Sequence, residues 1–279
     1  MLQYTLSNGI QIPALGFGCF NLPQDSGREV ILNAIRVGYR HFDTASVYQT
    51  EAALGQAIRD SGLPREEFFI TSKVWRTQMD SPREAFESSL KALQTNYLDL
   101  YLIHWPRPDL ERTDWAELDI RVWHCLEEQY QKGLVRAIGV SNFLPHHLMN
   151  LFDHCTIRPM VDQLEYPPGY IQEAAVNYCK SNGIQVEAWS PVGRMKLKDD
   201  PQIVAMAEQY HVTVPQLCLR FAVQNQVIPL PKSSDPGRMT QNLDLFGFEL
   251  SQEDMARIRT LPQLAWLGEH PDRERVRID

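Results

Sequence analysis

The chain has 279 residues, 43% of them hydrophobic and 22% charged, with a formal net charge of -8. That is enough apolar chain for a well-buried core, and the length falls within that of a single α/β barrel. The negative balance sets the surface against nucleic acid and anionic membranes, so any anionic ligand has to find a local basic cluster.

Met1–Tyr4 carries neither a basic n-region nor an apolar h-region, and no later apolar run approaches a membrane span. The expectation is a soluble, cytoplasmic monomer with no nucleic-acid or membrane partner. Five cysteines (Cys19, Cys125, Cys155, Cys179 and Cys218) are an odd number without CxxC spacing. They read as buried thiols, not as a disulfide framework or a zinc site.

Residues 4–12 read as two short strands around Ser7-Asn8-Gly9, since Asn-Gly is the strongest two-residue hairpin signal. An alternation then sets in. Apolar strands are expected at 14–17, 39–43, 68–74, 98–104, 135–140, 160–164, 185–190 and 227–230. Helical patterns lie between and after them at 26–36, 49–61, 81–93, 118–132, 144–153, 171–182, 213–224 and 236–243. Each crossover is long enough for a helix, which makes the sheet parallel. Eight such units in this length favour closure into a (β/α)8 TIM barrel with an N-terminal hairpin and extra helices at 200–210 and 251–260. No repeat or linker interrupts it, so residues 1–279 are expected to form one domain.

Local signals fix several boundaries. Ser81-Pro82 sets a cap residue before Pro at the first helical position, and Ser251 with Asp254 resembles a capping box. Gly133 and Gly183 stand just past helical patterns, where a left-handed residue ends a helix at little cost. Gly16-Phe17-Gly18-Cys19-Phe20-Asn21 begins like a dinucleotide fingerprint, but Asn21 replaces the third Gly and the following strand order does not suit an open sheet. It reads as the tight turn after the first barrel strand.

Three strands end in polar, ionisable residues, which is how a parallel strand delivers a functional group at its carboxyl end. The segments are 41–48, 71–75 and 100–105, and the groups are Asp43, Tyr48, Lys73 and His104. Taken singly, Asp43 and Lys73 read as a structural ion pair, Tyr48 as an amphipathic-helix residue and His104 as a core imidazole. Together, at the same ends of consecutive strands, they read as a proton-donating site. Tyr48 is the expected general acid. An ammonium at about 4 Å is worth roughly 4 kcal/mol at an effective dielectric of about 20, which would draw the phenol down by at most about three units. Lys73 must then lie closer to Tyr48 than Asp43 does, and a neutral His104 would hold the substrate carbonyl.

No HxxxH pattern or cluster of His with two carboxylates suggests a metal, and no GxSxG elbow suggests acyl transfer. His146 and His147, adjacent on a helix start, are expected to diverge rather than chelate one ion. A proton donor without metal or nucleophile needs a partner for the other half of the reaction, and a hydride carrier fits.

Asp43-Thr44-Ala45 with Tyr48, Ser72-Lys73, Leu102 to Pro106, Gly139 to Phe143 and Ile228 to Ser233 resemble the signature segments of the aldo-keto reductase family. The match runs in order along almost the whole chain. The resemblance implies a (β/α)8 barrel that binds NADPH in an extended pose and reduces aldehydes or ketones to alcohols without metal. It implies that Asp43, Tyr48, Lys73 and His104 form the catalytic tetrad, with the tyrosine as acid.

Cofactor positions carry over in the same way. Ser141, Asn142 and Gln163 suit a nicotinamide carboxamide, though on chemistry alone they equally suit turns. Trp189 matches an aromatic that stacks on the nicotinamide ring, and Ser190 and Gly193 lie on the loop expected along the pyrophosphate. Lys232, Ser233, Ser234, Arg238, Gln241 and Asn242 follow the last strand, bringing hydroxyls, two cations and a helix N-terminus together. That cluster suits a 2′-phosphate and favours NADPH over NADH. Gln241 departs from the family pattern, in which a carboxylate often contacts the adenine amine.

Phe20, Val47, Trp75 and Trp105, with Trp266 from the tail, are the expected walls of a pocket for a small carbonyl substrate. Two other readings stay open at this level: an NADPH-binding barrel acting as a redox sensor or regulatory subunit with little turnover, and a barrel phosphohydrolase. The second lacks metal-binding carboxylates, and the intact tetrad speaks against the first.

Overall fold

The computed structural model describes residues 2–274. Strands β1 (Gln3–Thr5) and β2 (Gln11–Pro13) pair antiparallel. The Gly9 N–H closes the turn on the Leu6 carbonyl at 2.8 Å, and Gly9 has φ +87°, a conformation that glycine adopts without strain. This is the hairpin expected from Asn8-Gly9.

Eight parallel strands follow: β3 (Phe17–Gly18), β4 (His41–Asp43), β5 (Phe69–Val74), β6 (Leu98–Ile103), β7 (Val135–Ser141), β8 (Val161–Glu165), β9 (Gln185–Trp189) and β10 (Val227–Pro229). They pair in chain order from β3 to β10. The ring closes where the Gly16 N–H donates to the Pro229 carbonyl at 3.1 Å and the Gly18 N–H to the Pro231 carbonyl at 3.0 Å. A Cβ at position 16 would lie 2.5 Å from Leu230 and 2.8 Å from the His41 ring, and one at 18 would lie 3.0 Å from the Leu230 carbonyl oxygen. The Gly-x-Gly pair therefore serves close approach across the barrel seam, in keeping with its reading as no dinucleotide fingerprint.

Helices α1 (Gly27–Val37), α2 (Glu51–Asp60), α3 (Pro82–Leu93), α4 (Trp115–Gln131), α5 (Pro145–Phe152), α6 (Glu173–Ser181), α7 (Pro201–Gln209), α8 (Val214–Gln224), α9 (Pro236–Leu243) and α10 (Gln252–Arg259) surround the sheet or extend it. With helices outside and side chains filling the inside, β5 and β6 are buried at every residue, as a strand covered on both faces requires. Gly133 and Gly183 have φ near +70° past the ends of α4 and α6. The Ser251 hydroxyl accepts the Asp254 N–H at 3.1 Å. Pro82 opens α3 as expected, but the Ser81 side chain makes no cap bond.

Two boundaries differ in an informative way. α4 begins three residues early because Trp115 packs edge-on against His147, with the Arg107 guanidinium over its ring. Tyr48 does not open α2. It ends a separate 3₁₀ turn, Ser46–Tyr48, stopped by Gln49 at φ +58°. No helix among the described residues is long and apolar enough to cross a membrane.

Candidate active site

β4 and β5 pair so that Asp43 lies opposite Thr71. Lys73 is two residues further along β5, on the same side as Thr71, because strand side chains alternate. The Lys73 side chain is fully buried and its Nζ donates to Asp43 Oδ1 at 2.6 Å and to the Thr44 carbonyl at 2.9 Å. The ammonium also lies 5.0 Å from the centre of the Tyr48 ring. The Tyr48 hydroxyl stands 3.2 Å from His104 Nε2. All four expected groups thus converge at the carboxyl ends of β4, β5 and β6.

The phenol is not drawn down as expected. Burial of its hydroxyl end pushes Tyr48 up to about 12, with Lys73 pulling the other way and Asp43 adding to the rise. The sequence reading counted the ammonium but not the water lost around the hydroxyl, and that loss is the larger effect. Tyr48 as a whole is partly buried and lines the cleft. His104 is held well below the usual imidazole range by burial first, then by the charges of Lys73 and Arg76. The ring is therefore neutral at physiological pH.

A second polar layer lies beneath. Gln163 Nε2 donates to Asp43 Oδ1 at 2.8 Å and to Glu187 Oε2 at 2.9 Å. Glu187 Oε1 faces His41 Nε2 at 3.4 Å, and both side chains are fully buried. Burial, reinforced by the Asp43 charge, raises Glu187 to about 8, while burial lowers His41 to about 3. This pair is neutral, with the proton on Glu187. Sequence reasoning missed it, although a Glu inside the apolar run Val186-Glu187-Ala188 is the signal that marks it.

Asp43, Tyr48, His104 and Gln163 line a cleft of about 600 Å³, with Lys73, Glu187 and His41 behind them. Phe20, Val47, Trp75 and Trp105 line it as expected, as do Asn142, Gln163, Trp189, Ser190 and Lys232. Trp266 does not. It stacks on Tyr170 with ring centres 5.4 Å apart, and the tail instead contributes Glu269 to the lining. The tail is pinned by the Leu267 N–H on Glu165 Oε1 at 2.9 Å. Arg76 and Arg194 also line the cleft and were not singled out from the sequence.

The expected cofactor residues divide. Both amide hydrogens of Asn142 are taken, by the His104 carbonyl and Ser141, while its oxygen accepts the Trp189 indole N–H at 2.8 Å and keeps one lone pair. Ser141 donates to the Gln163 backbone carbonyl. Gly193, at φ +53°, is there because a Cβ would meet Ala265 at 2.5 Å. Beyond β10, Lys232, Ser234, Arg238 and Gln241 are exposed, while Ser233 and Asn242 are buried. The α9 N-terminus is already capped by the Asp235 carboxylate, which accepts the Arg238 N–H at 2.8 Å. A phosphate there would be held by side chains rather than by the helix end.

Contrary to expectation, His146 and His147 do converge: their Nε2 atoms lie 3.2 and 3.0 Å from the two oxygens of Asp272. His147 Nδ1 accepts the Leu144 N–H at 3.0 Å, so in the neutral ring Nε2 carries the proton it gives to Asp272. The trio ties the tail to α5.

The Aldo/keto reductase family model matches residues 14–262, and the chain belongs to that family. It is 43% identical to glyoxal reductase from Bacillus subtilis (strain 168) over 270 residues, covering 96% of this chain and 95% of that protein. It is 35% identical to methylglyoxal reductase DkgA from Escherichia coli O157:H7 over 269 residues, 96% of each. Among solved structures, the Bombyx mori aldo-keto reductase in complex with NADP superposes with a TM-score of 0.86 at 34% identity, covering 99% of this chain and 95% of that one.

Proposed function

We propose that the protein reduces small aldehydes and ketones, dicarbonyls among them, to alcohols with NADPH, and that Tyr48 is the proton donor. The observation that carries this reading is the buried Lys73–Asp43 pair beneath a phenol 3.2 Å from a neutral imidazole, at the floor of an open cleft. The relatives' named activities on glyoxal and methylglyoxal, and the NADP complex of a structural neighbour, support the substrate class and the cofactor.

NADPH, when bound, supplies the hydride that reaches the carbonyl carbon. The residues that would hold it, as the family resemblance implies, are Asn142, Gln163, Trp189, Ser190 and Gly193 toward the nicotinamide and pyrophosphate. Lys232, Ser233, Ser234, Arg238, Gln241 and Asn242 would face the adenosine phosphate. The site fits in one specific respect: both donor contacts of the Gln163 amide are taken by Asp43 and Glu187, which leaves its carbonyl oxygen as the acceptor for a carboxamide amine.

A carbonyl oxygen seated against Tyr48 and His104 takes a hydrogen bond from each. As negative charge grows on that oxygen it becomes a stronger base than the phenolate, so proton transfer runs downhill even from a phenol held near 12. Lys73 then balances the phenolate, and Asp43 keeps the ammonium from turning away. His104, being neutral, directs the oxygen without competing as an acid.

Steady-state oxidation of NADPH with glyoxal and methylglyoxal tests the reading. Carbonyl-dependent oxidation is the expected result. Tight NADPH binding with no oxidation under any carbonyl would replace the reductase with a nucleotide-sensing barrel.

A further inference from the structure

Arg76 directly follows Trp75 at the end of β5 and begins a short 3₁₀ turn. Its guanidinium carbon lies 4.3 Å from the centre of the Trp105 ring, and Trp75 meets the His104 ring edge-on at 4.9 Å. The cation thus shares the wall formed by the two indoles that flank His104. Its Nε is buried and finds no hydrogen-bond partner, and no carboxylate among the described residues comes within ion-pair distance of the guanidinium. Glu269 and Asp109 attract it through their charge. Lys73 offsets Asp43 at 2.6 Å, so, leaving Lys232 to the cofactor phosphate, Arg76 and Arg194 still outnumber Glu269 in the cleft lining. This positive cleft belongs to a chain of net charge -8.

We propose that Arg76, seated over the Trp105 ring, is a subsite for a carboxylate on the substrate, so that the enzyme favours aldehyde acids and oxo acids over neutral carbonyls of the same size. A guanidinium is planar and offers paired N–H groups that suit a two-point grip on a carboxylate, and a contact with an aromatic face restrains it. Partial burial of Arg76 lowers the local dielectric, which strengthens that grip. The subsite lies beside His104, through Trp105 and Trp75, where the proposed reduction seats the carbonyl end of the substrate. It rests on the proposed reduction and adds a substrate class to it.

The test compares 4-oxobutanoate with its methyl ester, for wild type, Arg76→Gln and Arg76→Lys. The acid-to-ester ratio of kcat/KM is expected to fall roughly tenfold or more in Arg76→Gln, the size of a charge-assisted contact, with KM for the acid carrying most of the change and Arg76→Lys recovering part of it. In parallel, 4-hydroxybutanoate is titrated calorimetrically onto the NADP+-loaded proteins, where Arg76→Gln is expected to bind it about tenfold more weakly. An unchanged acid-to-ester ratio, or equal binding of the hydroxy acid by wild type and Arg76→Gln, would overturn the subsite and leave Arg76 as a clamp for Trp105. Arg76-dependent binding without turnover of any carbonyl would instead support the subsite and overturn the reductase reading.

Discussion

Replacing Glu187 by Gln isolates the buried neutral pair at the barrel centre. Glutamine has the shape of a protonated glutamic acid: its carbonyl can accept from Gln163 as Glu187 Oε2 does at 2.9 Å, and its amide can face His41 as Oε1 does at 3.4 Å. Glu187 moves from an ordinary value of 4.5 to about 8 in the folded barrel. Between those values the folded chain holds a proton that the unfolded chain has released, so the wild type loses stability as pH rises through the window. Over the three units from pH 5 to pH 8 the loss is at most about 4 kcal/mol, at about 1.4 kcal/mol per unit. The variant has no such group. Urea unfolding of both proteins at pH 5 and pH 8 is expected to show Glu187→Gln gaining on the wild type by up to that amount at the higher pH. Stability profiles that run parallel across the window would refute the assignment of a neutral, protonated Glu187.

Three other outcomes follow from the same geometry. Lys73→Met strands the Asp43 carboxylate, whose side chain is 6% exposed, with Gln163 as its remaining partner; about 3–5 kcal/mol should be lost in urea unfolding, part of it restored by adding Asp43→Asn. His104 is neutral well below its ordinary range, so kcat/KM for reduction should show no His104 inflection between about pH 6 and 8. A step near pH 6.5 that disappears in His104→Gln would contradict this. Lys232→Ala with Arg238→Ala should raise KM for NADPH about tenfold or more and leave KM for NADH within about twofold, as read from steady-state kinetics with each nucleotide.

The barrel was legible because its strands are short apolar runs separated by amphipathic stretches, and because Gly133 and Gly183 mark helix ends independently of propensity. The tetrad was legible for a related reason: Asp43, Lys73 and His104 are polar interruptions where an apolar run should stop. What failed depended on burial in three dimensions. The Coulomb attraction between Lys73 and Tyr48 can be estimated from a chain, but the desolvation that outweighs it cannot. Trp266 was read as a pocket wall because it is aromatic and near the end of the chain, whereas the partner that decides its position is Tyr170, almost a hundred residues earlier. Arg76 and Glu269 look like ordinary surface charges until the barrel brings β5, the loop after β6 and the tail around one cleft. His146 and His147 were expected to diverge from adjacent positions, and only the position of Asp272 shows that both rings can turn to the same carboxylate.

The central claim, that the phenol at the cleft floor delivers the proton, is tested most directly by a single turnover of NADPH-loaded Tyr48→Phe mixed with methylglyoxal. The variant keeps the Lys73–Asp43 pair and the His104 ring and loses only the hydroxyl. Its NADPH affinity should stay within a few-fold of wild type, and its rate of hydride transfer should fall by about 10²–10⁴. Hydride transfer at the wild-type rate in the variant would contradict the account.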